Sequence, residues 1–211
     1  MIELKGISKE YKHKKVLNNY DLIIETGEFL CIYGNSGVGK TTLLNILSLV
    51  ERPTAGTVIF DQHSQPTKKK VRELRLAKIG YLFQSYGLID NESVAANLVI
   101  ALKGKSLAKG EVKKAMLKVL EEVSLDVELS QKVFELSGGE QQRLALARLL
   151  LKEPTYIFAD EPTGNLDAEN TDLVFAILQR FHNQGGTVVF VTHNQRLLEK
   201  APKTLELKRK F

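Results

Sequence analysis

Glu28-Phe29-Leu30-Cys31-Ile32-Tyr33-Gly34-Asn35-Ser36-Gly37-Val38-Gly39-Lys40-Thr41-Thr42 is the stretch that decides the fold. Its first six residues are a near-continuous apolar run, the pattern of a strand buried on both faces of a parallel sheet, and the run stops at Gly34. From Lys40 the apolar residues Leu43, Leu44, Ile46, Leu47, Leu49 and Val50 fall at helical spacing, and a helix must end before Pro53. Between strand and helix, Gly34 to Thr41 satisfies G-x-x-x-x-G-K-[ST]. Glycines let backbone N–H groups curl around a phosphate chain, and the helix N-terminus adds its positive end. In such a loop Asn35, Ser36, Gly37, Val38 and Gly39 supply the cradle. Lys40 reaches the β- and γ-phosphates, the Thr41 hydroxyl ligates Mg²⁺, and Thr42 adds an α-phosphate contact.

Upstream, Ile2 to Ile7 alternates and Tyr20 to Ile24 follows, both reading as strands of antiparallel character. Downstream, roughly residues 86–152 carry helical stripes over Ser93 to Leu102, Lys109 to Val123 and Gly139 to Lys152. The sheet resumes at Thr155 to Ala159, a helix runs from about Ala168 to Asn183, and a further strand spans Thr187 to Val191. Strands separated by helices predict an α/β phosphate-loop NTPase with a mostly parallel core sheet. The antiparallel N-terminal strands are expected at its edge and a helical lobe inserted within it. The chain then reads as one domain over 1–211, with a core of 1–85 and 153–211 and a lobe of about 86–152.

Composition limits the alternatives. A chain of 211 residues with 43% hydrophobic and 26% charged residues is an ordinary globular protein, not a disordered or collagen-like one. Cys31 is the sole cysteine, so an intramolecular disulfide is excluded, nothing in the thiol count suggests secretion or a cysteine-based metal site, and a reducing compartment is expected. The N-terminal stretch lacks a signal-peptide core and no window is apolar enough for a membrane span. The net charge of +5 is spread among interleaved acids, so a solvated basic surface is favoured over a nucleic-acid groove. Lys68-Lys69-Lys70 and Lys208-Arg209-Lys210 could touch phosphates or anionic headgroups, but clusters this short are ordinarily solvated.

A second constellation is Leu136-Ser137-Gly138-Gly139-Glu140-Gln141-Gln142-Arg143. Ser137 with Glu140 three residues on is a capping box, and the paired glycines leave a helix N-terminus beside a hydroxyl, a second anion site. Tyr156 to Asp160 followed by Glu161 is an apolar strand that delivers two carboxylates at its C-terminal end, where open α/β sheets place ligands.

Leu136 to Arg143 resembles the signature motif of ATP-binding cassette (ABC) ATPases, and the order of motifs along the whole chain is similar to that family's. The resemblance implies a fold with ATP and Mg²⁺ as cofactors and a head-to-tail dimer with a second copy of the chain. Each ATP then lies between one copy's phosphate loop and the other's Ser137, Gly138, Gly139 and Glu140. It further implies that Asp160 and Gln84 hold Mg²⁺ with Thr41, that Glu161 is the general base, and that His193, after the strand Val188 to Thr192, contacts the γ-phosphate and positions Glu161 and water. Gln84 resembles the glutamine joining core to lobe, Gly164-Asn165-Leu166-Asp167 the loop between the two sites, and Tyr11 the aromatic that stacks on adenine, with Val16 as a second base contact. His13, His63 and His182 lack such context and read as surface or packing residues.

The implied mechanism is phosphoryl transfer to water coupled to closing and reopening of the dimer. Membrane transport is the expected output, because roughly 50 residues between Gln84 and Leu136 match the lobe on which permeases dock in the family. The tract Ile79 to Asp90 and Pro162 to Asp167 resemble the lipoprotein-release and macrolide-exporter branch, and within it bacteriocin-export ATPases, which implies export of, or defence against, peptides or antibiotics. The expected place is the cytoplasmic face of the membrane, without nucleic acid as a partner. Asn35 and Val38 stand at variable positions of the loop. Regulation by an appended ligand-binding domain is not expected. The alternative from another class is a soluble ABC-type ATPase acting on nucleic acid or ribosomes.

Overall fold

The computed structural model describes every residue except 13, 104, 106, 165, 210 and 211. The readings made for His13, Asn165 and Lys210 therefore lie outside the described residues. Nine strands and seven α-helices are arranged around two sheets among those described. The first strands, β1 (Ile2–Tyr11) and β2 (Lys14–Ile24), pair antiparallel, and β4 (Ala55–Phe60) and β5 (His63–Ser64) complete a four-stranded sheet of order β2-β1-β4-β5. The second sheet is parallel, with order β6-β7-β8-β3-β9, from β3 (Phe29–Tyr33), β6 (Ile79–Leu82), β7 (Tyr156–Asp160), β8 (Thr187–Val191) and β9 (Lys203–Glu206).

The parallel core agrees with the run at 28–33, but the N-terminal strands do not extend its edge. They form a sheet of their own with β4 and β5, while the edges of the parallel sheet are β6 and β9. The two sheets are instead joined through α1 (Lys40–Leu47), which packs on β1 and also on β7 and β8. Helix α1 stops sooner than its apolar spacing suggests: Ser48 caps it, and Leu49 turns into the left-handed region at φ 59°. β4 and β9 went unread in the sequence; the exposed β9 alternates no apolar residues.

The period of two in the parallel strands divides the core. Phe29, Cys31, Ile157, Ala159, Val188 and Phe190 face one cluster, shared with the helices of the inserted segment. Leu30, Ile32, Tyr156, Phe158, Val189 and Val191 face the other, shared with α1 and the antiparallel sheet. Between β6 and β7 lie α3 (Val94–Val99), α4 (Lys109–Glu122) and α5 (Gly138–Leu151). Helix α5 reaches the sheet over Gly80, where a Cβ would come within 2.8 Å of Leu149 Cγ, so only glycine admits this contact. The remaining helices are α2 (Lys68–Ala77), α6 (Ala168–Asn183) and α7 (Gln195–Lys200). Lys68 to Lys70 open α2 with exposed or half-exposed side chains, Lys70 pairing with Glu73 at 3.7 Å, while Lys208 pairs with Glu206 at 2.9 Å. Among the described residues no helix is long and apolar enough to cross a membrane.

Candidate functional site

The C-terminal ends of β3, β6, β7 and β8 lie side by side, so the loops that leave them converge. The loop after β3 wraps from Gly34 to Gly39 and ends in α1 without a side-chain cap. Gly39, the residue before the helix, sits at φ 109°, and a Cβ there would lie 2.7 Å from Val16 Cγ1, so both backbone angle and space demand glycine. Asn35, Ser36 and Gly37 are exposed at the loop's tip and Val38 is buried beneath it. Lys40 Nζ donates to the carbonyls of Gly34 at 2.9 Å and Asn35 at 3.2 Å, so the lysine closes the loop it belongs to. The first N–H groups of α1 are left for an outside acceptor.

Tyr11 and Val16 flank this loop from the antiparallel sheet. The Tyr11 hydroxyl donates to Glu51 Oε2 at 2.6 Å, and Lys9 Nζ lies 4.9 Å from the ring centre and 2.8 Å from Glu51 Oε1. The phenol's pKa is raised, by burial first and by Glu51 second, against an opposing interaction with Thr42. Tyr11, Val16 and Thr42 are thereby gathered at one end of α1, and the ring keeps 41% of its surface open.

The carboxylates come from β7. Thr41 Oγ1 donates to Asp160 Oδ1 at 3.2 Å, joining residues 119 positions apart. Burial is the first cause that raises the Asp160 pKa; Glu161's charge adds to it, while Thr41 and Lys40 oppose. A buried carboxylate beside a hydroxyl is a hard oxygen pair suited to a divalent cation. No group of three or more His, Cys, Asp or Glu residues gathers for a metal among the described residues, so an ion bound here would complete its shell with phosphate and water.

Glu161 follows at φ 47°, a left-handed turn unusual for a side-chain-bearing residue and of the kind found at active sites. The turn is held by Glu161 N–H donating to Val191 O at 3.0 Å and by Gly164 N–H donating to Glu161 O at 3.2 Å. It places Glu161 Oε1 2.7 Å from His193 Nδ1, while Oε2 is buried with no hydrogen-bond partner among the described residues. The histidine itself is largely exposed, on the loop after β8. A carboxylate with one oxygen oriented by an imidazole and the other free in a buried space is arranged to accept a proton from water.

Gln84 is exposed on the loop after β6. Leu82 pairs with Ala159, so this loop starts level with Asp160, and Asp160's charge is the second cause, after burial, that raises the pKa of Tyr81. The Tyr81 hydroxyl donates to Asn45 Oδ1 at 2.7 Å, tying β6 to α1.

Ser137 to Glu140 lie apart from this cluster: among the described residues no hydrogen bond joins them to Gly34 through Thr42. Glu140 Oε2 accepts from Ser137 N at 2.8 Å and from Ser137 Oγ at 2.7 Å, and Glu140 N donates back to Ser137 Oγ at 3.4 Å. The Ser137 hydroxyl first, and its backbone N–H second, hold the Glu140 pKa below the ordinary carboxylate value. The chain therefore brings together Gly34 to Thr42, Tyr11, Val16, Asp160, Glu161 and His193, while Ser137 and Glu140 bond to each other and Gly139 lies against Asn170.

Sequence reasoning gave no role to the side chains that hold α5 against the loop after β7. Buried Gln142 donates through Nε2 to Pro162 O at 2.6 Å, and Arg143 Nη1 donates to Asn170 Oδ1. The one local hint was Asp167 three residues before Asn170, an N-cap spacing at the start of α6.

Comparisons with known proteins bear on the family and the fold. The family model described as "ABC transporter" matches residues 17–164. The lipoprotein-releasing system ATP-binding protein LolD of Aquifex aeolicus is 39% identical over 210 residues, covering 99% of this chain and 94% of that protein. The macrolide export ATP-binding/permease protein MacB of Campylobacter jejuni is 40% identical over 212 residues, or 99% of this chain, which spans 33% of that longer protein. Among solved structures, the dimeric structure of MJ0796, a bacterial ABC transporter cassette, superposes with a TM-score of 0.91 at 35% identity, over 99% of this chain and 94% of that one. A dimeric post-hydrolysis state of the same cassette, bound to ADP and Pi, has a TM-score of 0.89 at 34% identity, with coverages of 99% and 94%.

Proposed function

The chain belongs to the ABC transporter family, and from that membership we propose that it is the ATP-binding and ATP-hydrolysing subunit that powers a separate membrane permease. The observation that carries the reading is the convergence of Glu161 and His193 at 2.7 Å with Thr41 and Asp160 at 3.2 Å, beside an uncapped, glycine-rich helix start. Lys40 and the N–H groups of α1 bind the phosphate chain, with Tyr11 and Val16 against the base. Asp160, Thr41 and Gln84 would hold Mg²⁺, which when bound supplies positive charge to the phosphate oxygens. Glu161 takes a proton at Oε2 from the attacking water, and His193 fixes the carboxylate through Oε1.

Ser137, Gly138, Gly139 and Glu140 serve the nucleotide of a second copy, paired head to tail. Their separation from the phosphate loop of their own chain supports this, as does the dimeric state named for both forms of MJ0796. The permease docks on the lobe of about 86–152 near Gln84. Phe83, Ile89 and Phe134 are exposed apolar side chains near it, Phe134 at 61%, and Phe134 N–H donates to Asp90 O at 3.2 Å, which brings the backbone at Phe134 next to the residue after Ile89. On this reading the chain works peripherally, on the cytoplasmic face of the membrane. The branch that includes LolD and MacB favours export of, or defence against, peptides or antibiotics.

Purification of the Glu161→Gln chain from its native cells in mild detergent with Mg·ATP tests the assignment. The expected result is a co-purifying permease, with hydrolysis reduced by about 10²- to 10³-fold and ATP binding retained. Ribosomes or nucleic acid recovered without a membrane protein would overturn the transport reading in favour of a soluble ABC-type ATPase.

A further inference from the structure

The first turns of α5 and α6 meet face to face at Gly139. A methyl group there would lie 2.6 Å from Asn170 Oδ1, 2.7 Å from Cγ and 2.9 Å from Nδ2, so the Asn170 amide rests directly on the Gly139 backbone. The same amide is held on both sides: Oδ1 accepts from Arg143 Nη1, and Nδ2 donates to Asp167 Oδ1 and Oδ2 at 3.0 Å each. Arg143 Nε is buried without a hydrogen-bond partner among the described residues, so the guanidinium is tied to α6 through Nη1 and Asn170. The tie from Gln142 to Pro162 O runs parallel to this, from the same helix turn to the loop that follows Glu161.

We propose that Asn170 is a positioning residue for the half of the site that acts on the partner copy: it clamps Gly139 and Arg143 of α5 to Asp167 of the same chain, so that both loops enter the dimer interface as one body. The inference rests on the head-to-tail pairing proposed above. The N–H donors of the Ser137–Gly139 turn act only if they arrive at a phosphate oxygen in a fixed place, and a shift of about 1 Å in such a group is enough to cost two orders of magnitude in rate. Asn170 removes that freedom without touching nucleotide.

The test uses the full chain carrying Glu161→Gln, with and without Asn170→Ala. Sedimentation reads ATP-driven dimerisation, and a fluorescent ATP analogue at low protein concentration reads binding to the monomer. Asn170→Ala keeps the backbone N–H that Asp167 Oδ1 accepts at 2.8 Å, so the cap of α6 survives. The expected result is a dimer dissociation constant raised by about tenfold, the scale of one lost charge-assisted hydrogen bond, with monomer affinity changed by less than about twofold. Asn170→Asp keeps the acceptor for Arg143 but turns an oxygen toward Asp167, and is expected to fall between the two. An Asn170→Ala chain that dimerises like its parent overturns the clamp. So does one that loses monomer affinity and thermal stability in parallel, because the role is then structural. If the Glu161→Gln parent itself fails to dimerise with ATP, the pairing falls, and the clamp with it.

Discussion

Two glycine-rich turns open helices in this molecule, and they are built in opposite ways. The turn before α1 has no side-chain cap, its last residue Gly39 at φ 109°, and its only charged side chain, Lys40, is positive. The turn before α5 is closed by its own residues: Ser137 and Glu140 satisfy each other in a complete capping box, which sets a carboxylate on the N-cap residue. One helix start leaves its first N–H groups to an outside acceptor, whereas the other has a carboxylate of its own on the capping residue. Similar composition thus produces two differently charged helix starts, which on the proposed reading are a resident nucleotide site and one that serves a second copy.

Substitutions at the two turns should separate sharply. Lys40→Ala is expected to weaken ATP binding by the isolated chain by about 10²-fold, since a charge-assisted phosphate contact is lost, and to reduce hydrolysis with it. Ser137→Ala should leave ATP affinity of the monomer unchanged and lower the turnover measured at protein concentrations that favour the dimer. A Ser137→Ala defect confined to monomer ATP affinity would erase the contrast between the turns.

Glu140→Gln sharpens it, because glutamine preserves the capping box but removes the negative charge. ATP-driven dimerisation should tighten by about two- to fivefold at low salt, the worth of one charge at a helix terminus, and sedimentation reads it. The pH dependence has a definite sign. The folded chain holds the Glu140 pKa below its ordinary value, so the cap contributes stability above the ordinary carboxylate range and loses it as pH falls through the lowered value. Thermal melts in acid should show that loss in the parent and not in Glu140→Gln.

The smallest effect on stability is expected at Asp160. Burial raises its pKa, so the ionised form is a cost to the nucleotide-free fold at neutral pH, and that cost disappears as pH falls below the raised value and the group protonates. Asp160→Asn should raise the melting temperature of the nucleotide-free chain by about 2–4 °C at pH 7, with a shrinking difference in acid, while hydrolysis is lost.

Much of this was legible in local patterns. The apolar run ending at Tyr33, the spacing of Gly39-Lys40-Thr41 and the helical stripe after it determined a strand, a phosphate loop and a helix, since each is fixed by the geometry of a few consecutive residues. Ser137 with Glu140 likewise determined a capped helix, and Tyr156 to Asp160 a buried strand with carboxylates at its end. Tertiary structure alone decided that β1 and β2 join β4 in a separate sheet, that Glu161 meets His193 at 2.7 Å, and that the Asn170 amide lies on Gly139. Those outcomes depend on which strand ends stand level and which helix faces touch. Side-chain period tells a strand which residues to bury, but not its neighbour or its register, and these come only from packing the whole core.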